Sequence, residues 1–305
     1  MSTRQKKKVL VTGGAGFVGS HLCERLVKDG NIVYSLDNYF TGNKKNHIEG
    51  VNYIKGNTKD IFKLIDFTPD IIYHLGEYSR VEQSFDDMRI VYEYNKIGTF
   101  EVLEFVRRTG AKLIYAGSST KFGDGGIARN TSPYAWTKAS NTELVINYGN
   151  WYGINYAITY FYNVYGPREI ESGKYATLIA LFKQKMKNNE PLTIVSPGTQ
   201  KRNFTHVDDI VDGLILVGKD GYGDEFGIGS DEAFSIVEVA QMFLGLSYKE
   251  AIKEKKIVML PPRRGNRMSA EVIIDKTKSL GWSAKKKLID WIEILRNKKW
   301  EYKND

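Results

Sequence analysis

A chain of 305 residues with 42% hydrophobic and 12% aromatic side chains can bury a full core, as one large domain or two closely packed ones. No apolar run approaches bilayer length, MSTRQKKKVL has no hydrophobic segment after its basic cluster, and the single Cys23 excludes an intrachain disulfide and suits a reducing cytoplasm. The net charge of +8 gathers largely in RQKKK, SAKKK and LRNKKW, which read as solvated lysines rather than a nucleic-acid surface, and four histidines without paired spacing give no metal site.

In chain order, KVLVT (8–12) reads as a buried strand, followed by the glycine-rich GGAGFVG and an amphipathic helix, SHLCERLVKDG. NIVYSLD (31–37), VNYIKG (51–56), DIIYHLG (70–76) and AKLIYAGSS (111–119) each read as strands, with a long helical pattern over 90–109 between the last two. A further helix is expected from near Ser132 to about Tyr152, with Pro133 in its first turn, and NYAITYFYNVYG supplies another strand. This alternation predicts a parallel sheet with helices on both faces. Beyond Gly166 it gives way to longer loops, so the second half reads as a smaller lobe folded against the sheet.

Gly14-x-Gly16-x-x-Gly19, with Gly13 just before it, follows the first predicted strand and opens a helix. Glycines there let the chain turn sharply and bring backbone N–H groups to a pyrophosphate at the positive helix end. The second strand ends in Asp37. A carboxylate there accepts from both adenosine ribose hydroxyls and repels a 2′-phosphate, which favours NAD over NADP.

SPYAWTK (132–138) sets Tyr134 and Lys138 four residues apart, on one helix face. In a chain with 19 tyrosines that spacing alone carries little. Its weight comes from AGSS, which ends the preceding strand and sets Ser118 at the carboxyl edge of the sheet, where doubly wound folds bind ligands. A free phenol titrates near pH ~10, so Tyr134 is a poor base until a cation stabilises its anion, and Lys138 supplies one.

TGGAGFVGSHL, LDNYFTGNKKN, YHLGEYSRVEQS, YAGSSTKFGD, SPYAWTKASNTE, YFYNVYGPRE, GTQKRNFTHVDDIVDGL and RRGNRMSAEVIIDKTKSLGW occur in this order. Over essentially its whole length the chain thereby resembles the extended branch of the short-chain dehydrogenase/reductase superfamily, the NAD-dependent nucleotide-sugar epimerases and dehydratases. The resemblance implies an α/β fold: a Rossmann-type doubly wound parallel sheet over 1–165 that binds NAD, and a smaller C-terminal α/β substrate lobe over 166–305, some of whose segments return to the first domain. It implies cofactor contacts from Gly13, Gly16, Phe17, Val18, Gly19, Asp37, Asn38, Asn57, Thr58, Leu75, Tyr134, Lys138 and Tyr162, with Lys138 on the nicotinamide ribose and Tyr162 near the nicotinamide. Ser118, Tyr134 and Lys138 would be catalytic, a general acid/base beside a hydride acceptor. Ser118 and Ser119 would hold the substrate sugar, while Asn163, Arg202 and Arg263 would bind the substrate diphosphate. It also implies a cytoplasmic homodimer with a four-helix interface near 90–109 and 134–152, serving polysaccharide or glycan precursor synthesis. VLEFV (102–106) in that interface equally fits this subunit's own sheet.

Related 4,6-dehydratases carry an Asp-Glu pair just after the active-site Thr or Ser, and related decarboxylases a glutamate. This chain reads Ser118-Ser119-Thr120-Lys121, without a carboxylate in that register. The pattern resembles a 4-epimerase, which oxidises C4 with NAD, rotates the 4-keto sugar and returns hydride to its other face. The alternative is a 4-dehydrogenase or 4-keto reductase with net redox change. A non-catalytic NAD-binding protein is a third reading, which the intact trio argues against. UDP, GDP and CDP remain open as the nucleotide. Several departures point to a non-standard sugar. The stretch from Gly123 to Tyr134 is shorter than in the family, the segment from Asn266 to Asp275 is longer, and Asn57, Asn203 and Asn266 stand where it usually has Asp. Glu77 stands where it usually has a small residue, with Lys121, Arg80 or solvent as its expected partner.

Overall fold

The computed structural model describes residues 6–269 and 271–297; the outer parts of the RQKKK and LRNKKW clusters lie outside the described residues. Among the described residues one sheet of seven parallel strands organises the fold: β1 (Lys8–Thr12), β2 (Ile32–Asp37), β3 (Val51–Lys55), β4 (Ile71–His74), β5 (Lys112–Ser118), β6 (Tyr156–Phe161) and β7 (Gly223–Ile228). They lie in the order β3-β2-β1-β4-β5-β6-β7. The sheet grows one way from β1 to β3 and the other way from β4 onward. That reversal opens a crevice at the carboxyl ends of β1 and β4.

Strand alternation explains how so apolar a sheet is buried on both faces. Val9 and Val11 of β1, Ile71 and Tyr73 of β4 and Ile114 of β5 share one core, while Leu10, Ile72, Leu113 and Tyr115 share the other. The first core is covered by α1 (Phe17–Lys28), which supplies Leu22 and Leu26, and later in the chain by α5 (Val207–Asp220), which supplies Leu214 and Val217. The other is covered by α2 (Gly98–Thr109) and α3 (Pro133–Tyr152). Val102, Leu103, Phe105 and Val106 of VLEFV all belong to that core, so this segment faces its own subunit's sheet and not an interface.

The helical run expected over 90–109 starts at Met88, and Tyr92–Ile97 within it forms a wide π turn before α2. Helix α3 begins as its residues require. The Ser132 hydroxyl accepts from the Ala135 N–H at 3.1 Å, Pro133 occupies the first turn, and Gly153 ends the helix in left-handed geometry. The strand expected across NYAITYFYNVYG breaks after Phe161, because Asn163 adopts a φ of 31°, and resumes only as Val164–Tyr165. A third core gathers Phe182 of α4 (Leu178–Lys187), Phe243 and Val239 of α6 (Ile236–Leu244), and Ile292 of α7 (Leu288–Asn297) around the paired strands Leu192–Val195 and Ile257–Leu260. The segments 163–181 and 260–267 from this region form the far wall of the crevice.

Candidate active site

The crevice is a cleft of about 1120 Å³. At its floor the turn after β1 needs glycine for two separate reasons. Gly13 has φ +76°, and an added Cβ would lie 2.9 Å from the Gly76 Cα; a Cβ on Gly19 would lie 2.1 Å from the Gly13 carbonyl oxygen. Gly16 precedes α1 without a side-chain cap, and the first turn carries no acidic residue. The opening N–H groups of α1 therefore face the cleft beside Gly13, Gly16, Phe17, Val18 and Gly19 with room and polarity for an anion. Asp37 closes β2 with its carboxylate fixed by the Ala15 N–H at 2.9 Å and the Tyr39 N–H at 2.8 Å. Burial pushes its carboxyl pKa above the ordinary value. Asn38, Thr58 and Leu75 line the same end. This set fits NAD: helix amides for the pyrophosphate, and a carboxylate for the adenosine ribose.

Two residues expected at the cofactor are not brought to the cleft. Tyr162 turns the opposite way from its neighbours Phe161 and Asn163, which do line it. Its ring packs against Gly229, its hydroxyl donates to the Glu271 carbonyl at 3.0 Å, and it accepts from the Ile273 N–H at 3.0 Å. It anchors the C-terminal segment, and Phe161 takes its place on the wall. Asn57 likewise lies behind the wall, where its amide oxygen accepts from Asn38 Nδ2 at 2.7 Å.

Ser118 ends β5, and Tyr134 and Lys138 open α3, so all three meet at the cleft. The Tyr134 hydroxyl donates to Ser118 Oγ at 3.0 Å, and Ser118 Oγ also shares a hydrogen with Thr120 Oγ1 at 2.9 Å. Lys138 is buried and donates to the Ala116 carbonyl and to Glu77 Oε2. Glu77 is therefore no solvated acid, and neither expected partner reaches it. Lys121 pairs with Asp224 at 2.8 Å and donates to the Tyr160 hydroxyl at 3.1 Å, while Arg80 Nε donates to the Tyr175 carbonyl at 2.8 Å. Burial alone would raise the Glu77 carboxyl, but the Lys138 ammonium and the hydrogen bonds around it hold it below the ordinary value.

The far end of the cleft is cationic. Arg202 donates to the Asn266 side chain at 3.1 Å and to the Arg267 carbonyl at 2.7 Å. Burial lowers the guanidinium to about 10, and repulsion from Arg267 and Arg263 adds to it. Arg263 reaches across the mouth to Glu82 at 3.1 Å. Asn163 donates to the Asn203 carbonyl at 3.1 Å, and Asn203 is buried behind it on the Ser230 carbonyl. Crowded guanidinium groups, with Arg202 and Arg267 partly desolvated, attract an anion. Arg267 was absent from the sequence expectations because the segment 266–275 departs in length from the family pattern. Its Nη2 donates to Ser119 Oγ at 3.2 Å, and its Nη1 is buried without a hydrogen-bond partner among the described residues. Among the described residues no cluster of three or more His, Cys, Asp or Glu side chains is arranged to hold a metal ion.

What this edge can do is seat a dinucleotide by its pyrophosphate and bring a hydroxyl pair and a lysine to its reacting end; the class so defined is that of the dinucleotide-dependent Rossmann enzymes. The sequence profile of the NAD dependent epimerase/dehydratase family matches residues 9–229, and the chain belongs to that family. It is 30% identical to UDP-glucuronic acid decarboxylase 6 of Arabidopsis thaliana, over 94% of this chain and 87% of the relative. It is also 30% identical to a putative UDP-glucose 4-epimerase of Methanocaldococcus jannaschii, over 93% of this chain and 98% of the relative. Among solved structures, the UDP-glucose 4-epimerase of Thermus thermophilus in complex with NAD superposes with a TM-score of 0.83 at 27% identity, over 95% of this chain and 99% of that one. The protein is thus an enzyme of an NAD-dependent family, with NAD as its cofactor.

Proposed function

We propose that this protein is a nucleotide-sugar 4-epimerase acting through a transient 4-keto sugar. The observation that carries the reading is the Tyr134–Ser118 hydrogen bond of 3.0 Å beside Lys138, at a strand end followed by no carboxylate. Ser119 and Thr120 follow it, and Lys121 is drawn off to Asp224. NAD supplies the hydride acceptor and donor for the sugar C4. Tyr134 takes the proton of the C4 hydroxyl and later returns it, and the Lys138 ammonium favours the phenolate while that proton is away. Ser118 orients the same oxygen. Arg202, Arg263 and Asn163 hold the diphosphate, an anion that relieves the crowding of the guanidinium groups. Arg267, at the sugar end beside Ser119, and the short 123–134 segment support a sugar other than plain glucose or galactose.

The same reading gives a cytoplasmic homodimer. Tyr92, Phe100, Trp136, Trp151 and Tyr152 are exposed on the helical run 88–109 and on α3, which supports pairing through these helices. The testing experiment is a screen of UDP-, GDP- and CDP-linked neutral, amino and acidic sugars, followed by NMR. The expected result is a C4 epimer formed without net NADH and without carbon dioxide. Stoichiometric NADH would transfer the protein to the 4-dehydrogenases, and carbon dioxide would transfer it to the decarboxylases.

A further inference from the structure

Glu77 has no part in the steps above, yet four side chains donate to its carboxylate. Its side chain is 2% exposed and that of Lys138 6%. One carboxylate oxygen takes Lys138; the other accepts from Thr99 Oγ1 at 2.9 Å, Asn141 Nδ2 at 3.0 Å and the Tyr115 hydroxyl at 3.2 Å. These donors come from β5, α2 and α3, so three elements converge on one carboxylate. The backbone beside it is clamped as well. The Asn95 side chain accepts from the Tyr78 N–H at 2.7 Å and donates to the Tyr78 carbonyl at 3.1 Å. Behind Thr99 lies His74, whose Nε2 is 3.0 Å from Thr99 Oγ1 and whose Nδ1 is 2.7 Å from Thr12 Oγ1. Burial lowers that imidazole to about 4, so it is neutral near pH 7 and adds no charge. The nest holds one anion and one cation.

A lysine ammonium has three N–H donors. Glu77 and the Ala116 carbonyl take two, which leaves one for the cleft that Lys138 lines. We infer that Glu77 is a positioning residue for Lys138, and that its charge offsets the lysine's at longer range so that the protein favours the oxidised, cationic nicotinamide over the reduced, neutral one, while the ammonium's remaining N–H still faces the cleft that Tyr134 lines. The inference rests on the reading in which Lys138 serves the nicotinamide end of NAD. A bare buried ammonium there would disfavour a second positive charge; the paired ammonium keeps its hydrogen bond to offer without that repulsion. An enzyme that must begin and end each cycle with NAD oxidised gains from this bias.

The test needs no sugar substrate. Dissociation constants of NAD⁺ and NADH are measured for the wild type, E77Q and E77Q/K138M by calorimetry at one pH, with circular dichroism and thermal unfolding as checks on folding. Loss of one carboxylate charge near a bound cation, at an effective dielectric of ~20, corresponds to about ten-fold or more in relative affinity. The ratio Kd(NAD⁺)/Kd(NADH) is therefore expected to rise about ten-fold in E77Q. It should return to within about three-fold of wild type in E77Q/K138M, because that pair is again neutral and loss of the lysine's hydrogen bond weakens both redox forms alike. Lys96, Arg80 and Arg267, the nearby fixed cations, are unchanged across the series. Should E77Q fail to fold, E77A removes the same charge and replaces it. A ratio unchanged in the neutral variant, or one that the double variant does not restore, overturns the inference. If the wild type turned over no nucleotide sugar, the epimerase reading would fall while this ratio still gave its own answer.

Discussion

Glu169, on the cleft wall just after the Val164–Tyr165 strand, should make the protein lose stability as the pH rises. Its carboxylate accepts from Thr177 Oγ1 at 2.5 Å and the Gly166 N–H at 3.3 Å, and burial raises it from 4.5 to about 7 against the smaller pull of these two bonds and of Lys183. The folded protein thus keeps a proton between pH 4.5 and about 7 that the unfolded chain has released. Stability therefore falls with rising pH through that window, and the full cost is in force above it. At ~1.4 kcal/mol per pH unit the cost is at most about 3.5 kcal/mol, lessened by the side chain's partial contact with solvent. Glu169→Gln removes the titration. It also weakens the bond to Gly166, which adds a pH-independent offset of about 1 kcal/mol. Urea unfolding of both proteins at intervals from pH 4.5 to 8.5 separates the two effects. The difference between them should swing toward the variant by about 1.5–3 kcal/mol across the window. A difference that stays flat, whatever its size, would refute the burial argument.

Tyr134→Phe should retain NAD, seen by mass after denaturation, and lose sugar turnover by about 10²–10⁴-fold; near-normal turnover would remove Tyr134 from catalysis. Asp37→Ala should weaken NAD binding about ten-fold or more while sparing NADP, measured as a ratio of dissociation constants. Gly19→Ala drives a methyl into the Gly13 carbonyl, so NAD retention should collapse and the melting temperature fall, by about 1–3 kcal/mol in stability. Sedimentation should give a dimer for the wild type, and a charge at Phe100 or Trp151 should shift it toward monomer. A wild-type monomer would reject the helix-pair interface.

The parts of this site that were legible in the sequence are those whose logic is local. A glycine turn between a strand and a helix, an acid at a strand end, and a Tyr and Lys one helical turn apart all declare themselves within a few residues. The family resemblance then supplied their common purpose. Tyr162 shows where locality fails. Whether a residue at the end of a strand faces the cleft or the core depends on one backbone angle, and the positive φ of Asn163 ends the alternation there. The partner of Glu77 was hidden for another reason: Lys138 lies far along the chain, and only the convergence of β4 with α3 brings them together. Strand β7 reads as GDEFGI, with no apolar run to mark it, because it gains its burial from the edge of β6 and from α5. Arg267 reaches Ser119 from a segment whose length no pattern predicted.

The π turn at Tyr92–Ile97 gives this architecture a route for change that leaves the sheet alone. Such a turn bonds i to i+5 and so holds one residue more than a regular helix would. Here the Asn95 carbonyl accepts from the Gly98 N–H and also from Asn141 Nδ2 at 2.7 Å, while its side chain grips the backbone next to Glu77. Loss of a single codon in this stretch would tighten the run into an unbroken helix with both ends still seated. The Asn95 grip on the Tyr78 backbone, next to Glu77, would go with it. The hold on the Glu77–Lys138 pair thus runs through a helix irregularity far in sequence from both the glycine loop and SPYAWTK.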